Sequence, residues 1–414
     1  MTSEVTEAFV WVWLEGSVEP VVAGRLDGTA DEITFQYGAS YLARSERVAL
    51  FLPELPLGHQ TQSPFSGMHI AGCIADARPD AWGKRVILRR RFGANAEERI
   101  DHIGLLALLL ESGSDRFGAL DFQASSTDYI PRITHAPLEE LMSAVERIEA
   151  GLPLNPDLEL ALLHGSSLGG ARPKVLIDDE EGRPRIAKFA RPSDMYPVVN
   201  AEGAAMYLAR QGGLNVATTE VVHCGDADVL LVDRFDRPAP HQRRMVVSAL
   251  TIQELDEQWA RYATYTRLAE EIRLRFTDVR STLRELFRRV AFNICVGNTD
   301  DHARNHAAFW DGSREMLTLT PAYDVCPQAR STGETEQAMD YGPDGERRSR
   351  LEPLVRAAPL YHLEPREARE IVEHLVEVVQ AQWTDAADHG RLSATDRELL
   401  LGSQILNPSI FCTD

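Results

Sequence analysis

The sequence predicts an α+β fold in three successive parts, and three observations on the 414-residue chain predict it. Residues 1–123 open with short apolar runs separated by turn residues, which is typical of strands. Residues 136–240 alternate strand patterns with one helical pattern. Residues 241–414 carry apolar stripes at helical spacing, most clearly over 283–294 and 363–383. We therefore expect a β-rich N-terminal module, a mixed α/β small lobe and an all-helical C-terminal lobe.

Composition and charge limit the classes of protein to consider. The net charge is −20, from 43 Lys and Arg against 63 Asp and Glu, so binding of DNA or an anionic membrane through the whole surface is disfavoured. Five scattered cysteines without CxxC spacing indicate reduced thiols rather than a disulfide framework or a zinc cage. No run approaches the roughly 18 apolar residues that span a bilayer. We expect a cytoplasmic protein without membrane contact.

The N-terminal module is predicted to begin with strands and continue with helices. The predicted strands cover residues 8–14, 19–26, 33–35 and 48–52. A helix is expected over 80–92, directly after Pro79, and a buried helix over 104–110. The polar segment 124–135 then serves as a linker to the middle part.

The middle part has the order loop, strand, strand, helix, strand, strand. A glycine-rich loop at 165–171 leads into it, and Asn200 is expected to cap a helix that runs to Gln211. The predicted strands cover 174–177, 185–189, 218–222 and 229–232. A loop over phosphates, a lysine on the following strand and a helix that can supply a carboxylate form the small lobe of a protein kinase.

Lys188 is the lysine in this order. It lies among apolar residues on a predicted strand, where an unpaired ammonium would be costly. It therefore needs an anion, either the phosphate oxygens of a nucleotide or Glu202. The glycine-rich loop can place backbone N–H groups near phosphates because glycine tolerates close approach. Its pattern is neither a Walker A motif nor the usual kinase GxGxxG, so by itself it is a weak signal.

The segment after the 283–294 stripe carries the strongest chemical pattern. Asp300 precedes Asn305 by five residues, and Asp324 follows nineteen residues later. Phosphoryl transfer from ATP requires one carboxylate that orients the attacking hydroxyl and accepts its proton. It also requires an amide and a second carboxylate that hold magnesium. Asp301 is the alternative base, but the spacing favours Asp300 and leaves Asp301 to bond local backbone.

Nine short blocks follow one another along nearly the whole chain. They cover residues 64–65, 78–83, 115–120, 166–174, 187–189, 200–202, 232–237, 299–305 and 323–324. In this order they resemble the HipA family of serine/threonine kinase toxins. The resemblance implies a protein-kinase-like fold and a protein serine/threonine kinase that uses ATP and magnesium. It also implies that the protein is the toxin of a bacterial type II toxin–antitoxin pair.

The resemblance assigns a role to each matching residue. Asp300 is implied to be the catalytic base, and Asn305 and Asp324 to be the magnesium ligands. Lys188, Asn305, Asp324 and Asp300 together form the implied catalytic set. The implied ATP-binding residues are Ser166, Ser167, Gly169, Gly170, Lys188, Asp233, Phe235 and His302.

Two positions depart from the family pattern. Asp233 stands where better-known members carry Glu, and the shorter side chain keeps the charge. Family members silence themselves by phosphorylating a serine of the glycine-rich loop, and the commonest such position aligns here with Gly169. The nearby Ser167 is therefore the candidate autophosphorylation site, and Ser166 is an alternative.

The resemblance also implies partners. A small helix-turn-helix antitoxin protein would neutralise the toxin, and contact with DNA would run mainly through that antitoxin, in agreement with the acidity of this chain. The implied substrate is a cytosolic protein, because better-studied family members phosphorylate aminoacyl-tRNA synthetases.

Two other functions stay open at this point. The first is a kinase-like module without activity that only binds a partner, although such a scaffold needs none of the four catalytic side chains. The second is a metal-dependent hydrolase, in which His302 and His306, four residues apart, would bind zinc. The hydrolase lacks the Glu of an HExxH motif and leaves Lys188 unexplained.

Overall fold

The computed structural model describes residues 5–28, 32–93, 103–134, 136–165, 172–179, 181–330 and 335–412. Over these ranges the chain is a mixed α and β protein. Its strands form three antiparallel sheets, of four, four and three strands in chain order. In the described ranges no helix is both long enough and apolar enough to cross a bilayer.

The first sheet belongs to the N-terminal part. Its strands are β1 (Glu7–Val12), β2 (Val21–Gly28), β3 (Ile33–Tyr37) and β4 (Leu120–Gln123), in the order β3-β2-β1-β4. The helices are α1 (Ala39–Leu42), α2 (Gly72–Ala75), α3 (Ala81–Phe92) and α4 (Leu105–Glu111). Strand β1 is buried at Ala8, Val10 and Val12, the period of two that places one face in the core.

The strand predicted over residues 48–52 is wrong. Leu50 and Phe51 are buried, but this segment is irregular and does not pair with a neighbouring strand. Side-chain contacts hold it in place. The backbone N–H of Leu50 donates to the hydroxyl of Tyr37 at 2.8 Å, and the Phe51 ring packs edge-on against Trp310. A short apolar run gives the same pattern in a buried loop as in a strand.

The second sheet follows the predicted order of elements. After α5 (Leu138–Glu149) and α6 (Pro156–Gly165) come β5 (Lys174–Asp178), β6 (Pro184–Phe189), α7 (Val198–Gln211), β7 (Thr219–Cys224) and β8 (Ala227–Asp233). The sheet order is β5-β6-β8-β7.

The predicted cap of the helix in this part is wrong. Helix α7 begins two residues before Asn200, after Pro197. The amide Nδ2 of Asn200 donates to the carbonyl oxygen of Gly390 at 2.9 Å and to Asp228 at 2.8 Å. Asn200 therefore ties α7 to distant segments, and its amide is not used at the helix start.

The C-terminal part is mainly helical, but the prediction that it is all-helical is wrong. Its helices are α8 (Ala249–Ile252), α9 (Tyr265–Arg275), α10 (Val279–Val296), α11 (Leu351–Arg356), α12 (Pro365–His389) and α13 (Ala394–Leu400). Three strands, β9 (Val246–Ser248), β10 (Ala307–Asp311) and β11 (Met316–Leu319), form a sheet in the order β11-β10-β9. These strands are short, and β10 is buried on both faces at Ala307–Trp310, so the sequence shows no alternation there.

Hydrogen bonds connect the N-terminal part to the segment that follows β8. The backbone N–H of Gly118 donates to the Asp236 carboxylate at 2.8 Å, and Arg234 donates to the carbonyl oxygen of Arg116 at 2.7 Å. Arg234 and Asp236 are themselves ion-paired at 2.7 Å and almost completely buried. These buried hydrogen bonds and this ion pair hold residues 115–118 against the end of the second sheet.

Candidate active site

The candidate site lies where β6 and α7 face the chain that follows β11. The Nζ atom of Lys188 on β6 lies 2.6 Å from Oε1 of Glu202 on α7, and the same ammonium is ion-paired with the carboxylate of Asp324. Lys188 and Glu202 are buried, whereas the Asp324 side chain is 39% exposed. The structure thus brings together two predicted residues that are 136 positions apart, and Glu202 is the carboxylate partner considered for Lys188.

The charges of this cluster stabilise one another. Burial lowers the pKa of Lys188, but the carboxylates of Asp324 and Glu202 outweigh burial and hold that pKa above its usual range. Burial raises the pKa of Asp324, and the ammonium groups of Lys188 and Lys174 reverse this effect and hold it well below its usual range. Asp324 is therefore an anion at neutral pH, and its side chain is partly exposed.

Asp324 also has an unusual backbone. Its φ is +60°, in the left-handed region that is uncommon for residues other than glycine but is tolerated by Asp and Asn. Backbone strain of this kind concentrates at functional sites.

The predicted catalytic loop follows helix α10. Gly297 ends the helix with φ +71°, and the loop then carries Asp300 to the surface of the cleft. The amide Nδ2 of Asn305 donates to the backbone oxygen of Asp300 at 3.3 Å, so the two residues share one loop. Loss of solvation and the negative charges of Asp324 and Asp301 raise the pKa of Asp300, although His302 opposes them. A base close to other carboxylates holds a proton more readily than an isolated one.

Asp301 points away from the cleft and into the protein. Its Oδ2 accepts hydrogen bonds from Nδ2 of Asn293 at 2.6 Å, from Nε2 of His306 at 2.7 Å and from the hydroxyl of Tyr265. The prediction that Asp301 bonds local backbone is wrong, because its partners are three side chains from different segments. This network fixes the loop and leaves Asp300 as the exposed carboxylate.

Replacing Asp301 with asparagine should destabilise the protein. The carboxylate oxygen that accepts three hydrogen bonds would be replaced by an uncharged amide, which is a weaker acceptor and adds an NH₂ donor. We expect a loss of about 2–4 kcal/mol in the free energy of unfolding, measured by chemical denaturation, whereas Asp300→Asn should be neutral. Burial raises the pKa of Asp301, but His306 and the hydrogen bonds lower it overall. The wild-type advantage should therefore be complete above the unfolded-state pKa of about 3.9 and fade as pH falls through the lower folded-state value. An equal loss in both variants would contradict this assignment.

The predicted hinge residues lie at the end of β8. Asp233 pairs with Nε of Arg185 at 2.8 Å. The Phe235 ring lies 5.6 Å from Tyr323 and 6.0 Å from Phe117, measured between centroids. These three half-buried rings of Phe117, Phe235 and Tyr323 form a surface that we call the aromatic wall. It is the kind of surface on which a purine ring stacks.

Sequence reasoning did not assign a role to three residues at this site, one of which is Tyr323 of the aromatic wall. Phe117 comes from the N-terminal part and completes the aromatic wall. Lys174 is the register partner of Lys188 in the β5–β6 pair, and its ammonium lies 3.5 Å from Asp80. The signal available for Lys174 is its position directly after the glycine-rich loop.

The other predicted residues divide into two groups. His302 is exposed on the catalytic loop, and His306 is buried against Asp301, so the two rings do not face one opening as a shared zinc site requires. Ser166, Ser167, Gly169 and Gly170 lie outside the described residues. Helix α6 ends just before them, and β5 begins four residues after Gly170.

Fold and site together define a mixed α and β protein with a lysine–carboxylate cluster between an antiparallel sheet and a largely helical part. Residues 166–383 match the family described as HipA-like C-terminal domain, and residues 12–123 match the HipA N-terminal domain. The first match alone spans more than half of the chain, and the chain belongs to the HipA family.

Individual relatives support the same grouping. The chain is 29% identical over 249 residues to Y4mE of Sinorhizobium fredii, whose name gives it as a candidate kinase. That match covers 53% of this chain and 56% of the relative, so the chain spans only about half of the relative's length. Among solved structures, HipA of Shewanella oneidensis MR-1, in complex with HipB and operator DNA, superposes with a TM-score of 0.62 at 18% identity. The superposition covers 96% of this chain and 99% of the Shewanella chain. At 18% identity this likeness establishes the fold alone.

Proposed function

We propose that this chain is an ATP- and magnesium-dependent protein serine/threonine kinase. The observation that carries the proposal is the cluster of Lys188 with Glu202 and Asp324 beside the loop of Asp300 and Asn305. A buried lysine–glutamate pair, a metal-binding carboxylate and a base followed by an amide are the parts that kinases use.

The donor set fits magnesium. Asp324 offers an anionic, partly exposed carboxylate, and Asn305 offers an amide oxygen, which are the hard oxygen ligands that magnesium prefers. Magnesium held by these two residues would offset the negative charge of the phosphates of ATP. The Asp324 side chain is 39% exposed even though it is paired with Lys188, which supports the proposal that it also meets a metal ion.

The remaining steps belong to the side chains of this chain. Lys188 holds phosphate oxygens and is itself oriented by Glu202. Asp300 accepts the proton of the attacking hydroxyl, and Asp301 keeps the loop in place through its three hydrogen bonds. The aromatic wall of Phe117, Phe235 and Tyr323 offers the adenine ring an apolar surface.

We also propose a toxin role with a small helix-turn-helix antitoxin as partner. The related Shewanella HipA is seen with HipB and operator DNA. A net charge of −20 suits a chain whose contact with DNA runs mainly through a partner. The substrate is then a cytosolic protein, for which an aminoacyl-tRNA synthetase is the first candidate, and Ser167 is the proposed site of autophosphorylation.

Transfer of labelled phosphate tests the kinase proposal. The purified protein is incubated with γ-labelled ATP, magnesium and a cell lysate. The rate at which labelled phosphate is incorporated into protein is measured. Asp300 is exposed, and its carboxylate makes no hydrogen bond or ion pair among the described residues, so Asp300→Ala should fold normally. Its rate of phosphate transfer should fall about 10²–10⁴-fold. Asp278→Ala, at the start of α10, serves as the control that keeps activity.

The alternative functions give different outcomes in the same assay. A non-catalytic binding module would transfer no phosphate in the wild type. Transfer at full rate by Asp300→Ala would remove Asp300 from the role of base.

A further inference from the structure

A carboxylate of the N-terminal part reaches the candidate nucleotide site. Asp80 caps helix α3, and its Oδ1 accepts the backbone N–H of Gly83 at 2.7 Å. Its other oxygen, Oδ2, lies 3.5 Å from Nζ of Lys174, and the side chain is 2% exposed. One carboxylate thus joins the start of a helix in the N-terminal part to the first residue of β5.

Lys174 occupies a position that faces the site. In the β5–β6 pair Lys174 stands directly opposite Lys188, and residues directly opposite in a sheet project from the same face. Both ammonium groups act on the carboxylate of Asp324. Lys174 is also the first residue of β5, three positions after the end of the glycine-rich segment in the sequence.

Two buried ammonium groups on one sheet face require anions. Lys188 has Glu202 and Asp324, whereas Lys174 has Asp80. Burial and the neighbouring Lys188 lower the pKa of Lys174, and Asp80 opposes them. Burial raises the pKa of Asp80 to about 6 even though Lys174 lowers it. Without Asp80, Lys174 would lose this ion pair and would hold its proton less tightly.

We propose that Asp80 is a positioning residue of the nucleotide site, because its carboxylate holds Lys174 charged and directed toward the phosphates of a nucleoside triphosphate. This inference rests on the proposed kinase function. It makes the N-terminal part a component of the nucleotide site, because Asp80 connects the start of helix α3 to Lys174 of β5.

Nucleotide affinity in a mutant cycle tests the proposal. The dissociation constant of a non-hydrolysable ATP analogue with magnesium is measured by calorimetry for the wild type, Asp80→Asn, Lys174→Met and the double variant. Asparagine still caps a helix, so Asp80→Asn should fold, and thermal unfolding checks this. We expect Asp80→Asn to weaken binding about 10-fold, the effect of one charge-assisted contact. The double variant should bind as Lys174→Met does.

A matched control separates the contact from the cap. Asp278 caps α10 with its side chain at 3.2 Å from the N–H of Ser281, so Asp278→Asn makes the same chemical change at another helix start and should leave affinity unchanged. Asp80→Ser, a second capping variant, replaces Asp80→Asn if the latter does not fold.

Each outcome decides the matter. Unchanged or tighter binding by a folded Asp80 variant, or additive losses in the double variant, would overturn the role of Asp80 while leaving the kinase proposal in place. Absence of nucleotide binding by the folded wild type would overturn the kinase proposal and this inference together.

Discussion

Asp324→Asn should lower the rate of phosphate transfer about 1,000-fold or more, because a bound metal ion supplies several kcal/mol of charge stabilisation. Asparagine tolerates the left-handed backbone at this position, so the change removes the charge and keeps the conformation. The rate is measured with labelled ATP on any substrate that the wild type phosphorylates, and across a range of magnesium concentrations.

Asp344→Asn is the matched control for that change. Asp344 also has a left-handed backbone, with φ +55°, but it lies in an exposed turn outside the site. It should keep the wild-type rate. If Asp324→Asn also kept the wild-type rate while remaining folded, Asp324 would not be a metal ligand.

Lys188→Met should abolish transfer and also lower stability. Lys188 is the cation shared by Glu202 and Asp324, and Glu202 is 2% exposed. Removing one partner of a buried ion pair typically costs about 3–5 kcal/mol, because it leaves an uncompensated charge in the interior. The free energy of unfolding from denaturant titration and the rate of transfer are the two measurements.

A double variant separates the two effects of Lys188. Lys188→Met combined with Glu202→Gln removes the buried charge that the single variant leaves behind, so most of the stability should return. Activity should not return, because the phosphates still lack their ammonium. A double variant that recovered activity along with stability would reduce Lys188 to a structural role.

The strands and the helix of the second sheet, and helix α10 of the C-terminal part, were predictable because each is regular over several residues. The stripe of α10 and the order of β5, β6, α7, β7 and β8 depend on local periodicity, which sequence shows directly. The sheet of β9, β10 and β11 was not predictable, because β9 pairs with a strand about 60 residues further along and none of the three alternates clearly.

The candidate site shows the same limit. The resemblance placed Lys188 and Asp324 in one catalytic set, and the structure brings their side chains into an ion pair. Nothing local in the sequence indicated that Asp80 would reach Lys174, 94 residues later, or that the Phe117 ring would meet Phe235. Contacts between parts of a chain depend on how those parts pack, and one sequence does not encode that packing in a local pattern. The neighbouring carboxylates Asp300 and Asp301 also required coordinates, because only their surroundings show that Asp300 is exposed and Asp301 is buried.

Titration of the wild-type protein with ATP, with and without magnesium, tests the central claim most directly. In this account Lys188, Asn305 and Asp324 bind the phosphates of ATP with the help of a divalent cation. The affinity of the wild type for ATP should therefore fall at least about 10-fold when magnesium is removed by chelation. The affinity of Asp324→Asn for ATP should not change on chelation. Binding of ATP with the same affinity in the presence and absence of magnesium, or equally well by wild type and Asp324→Asn under both conditions, would contradict it.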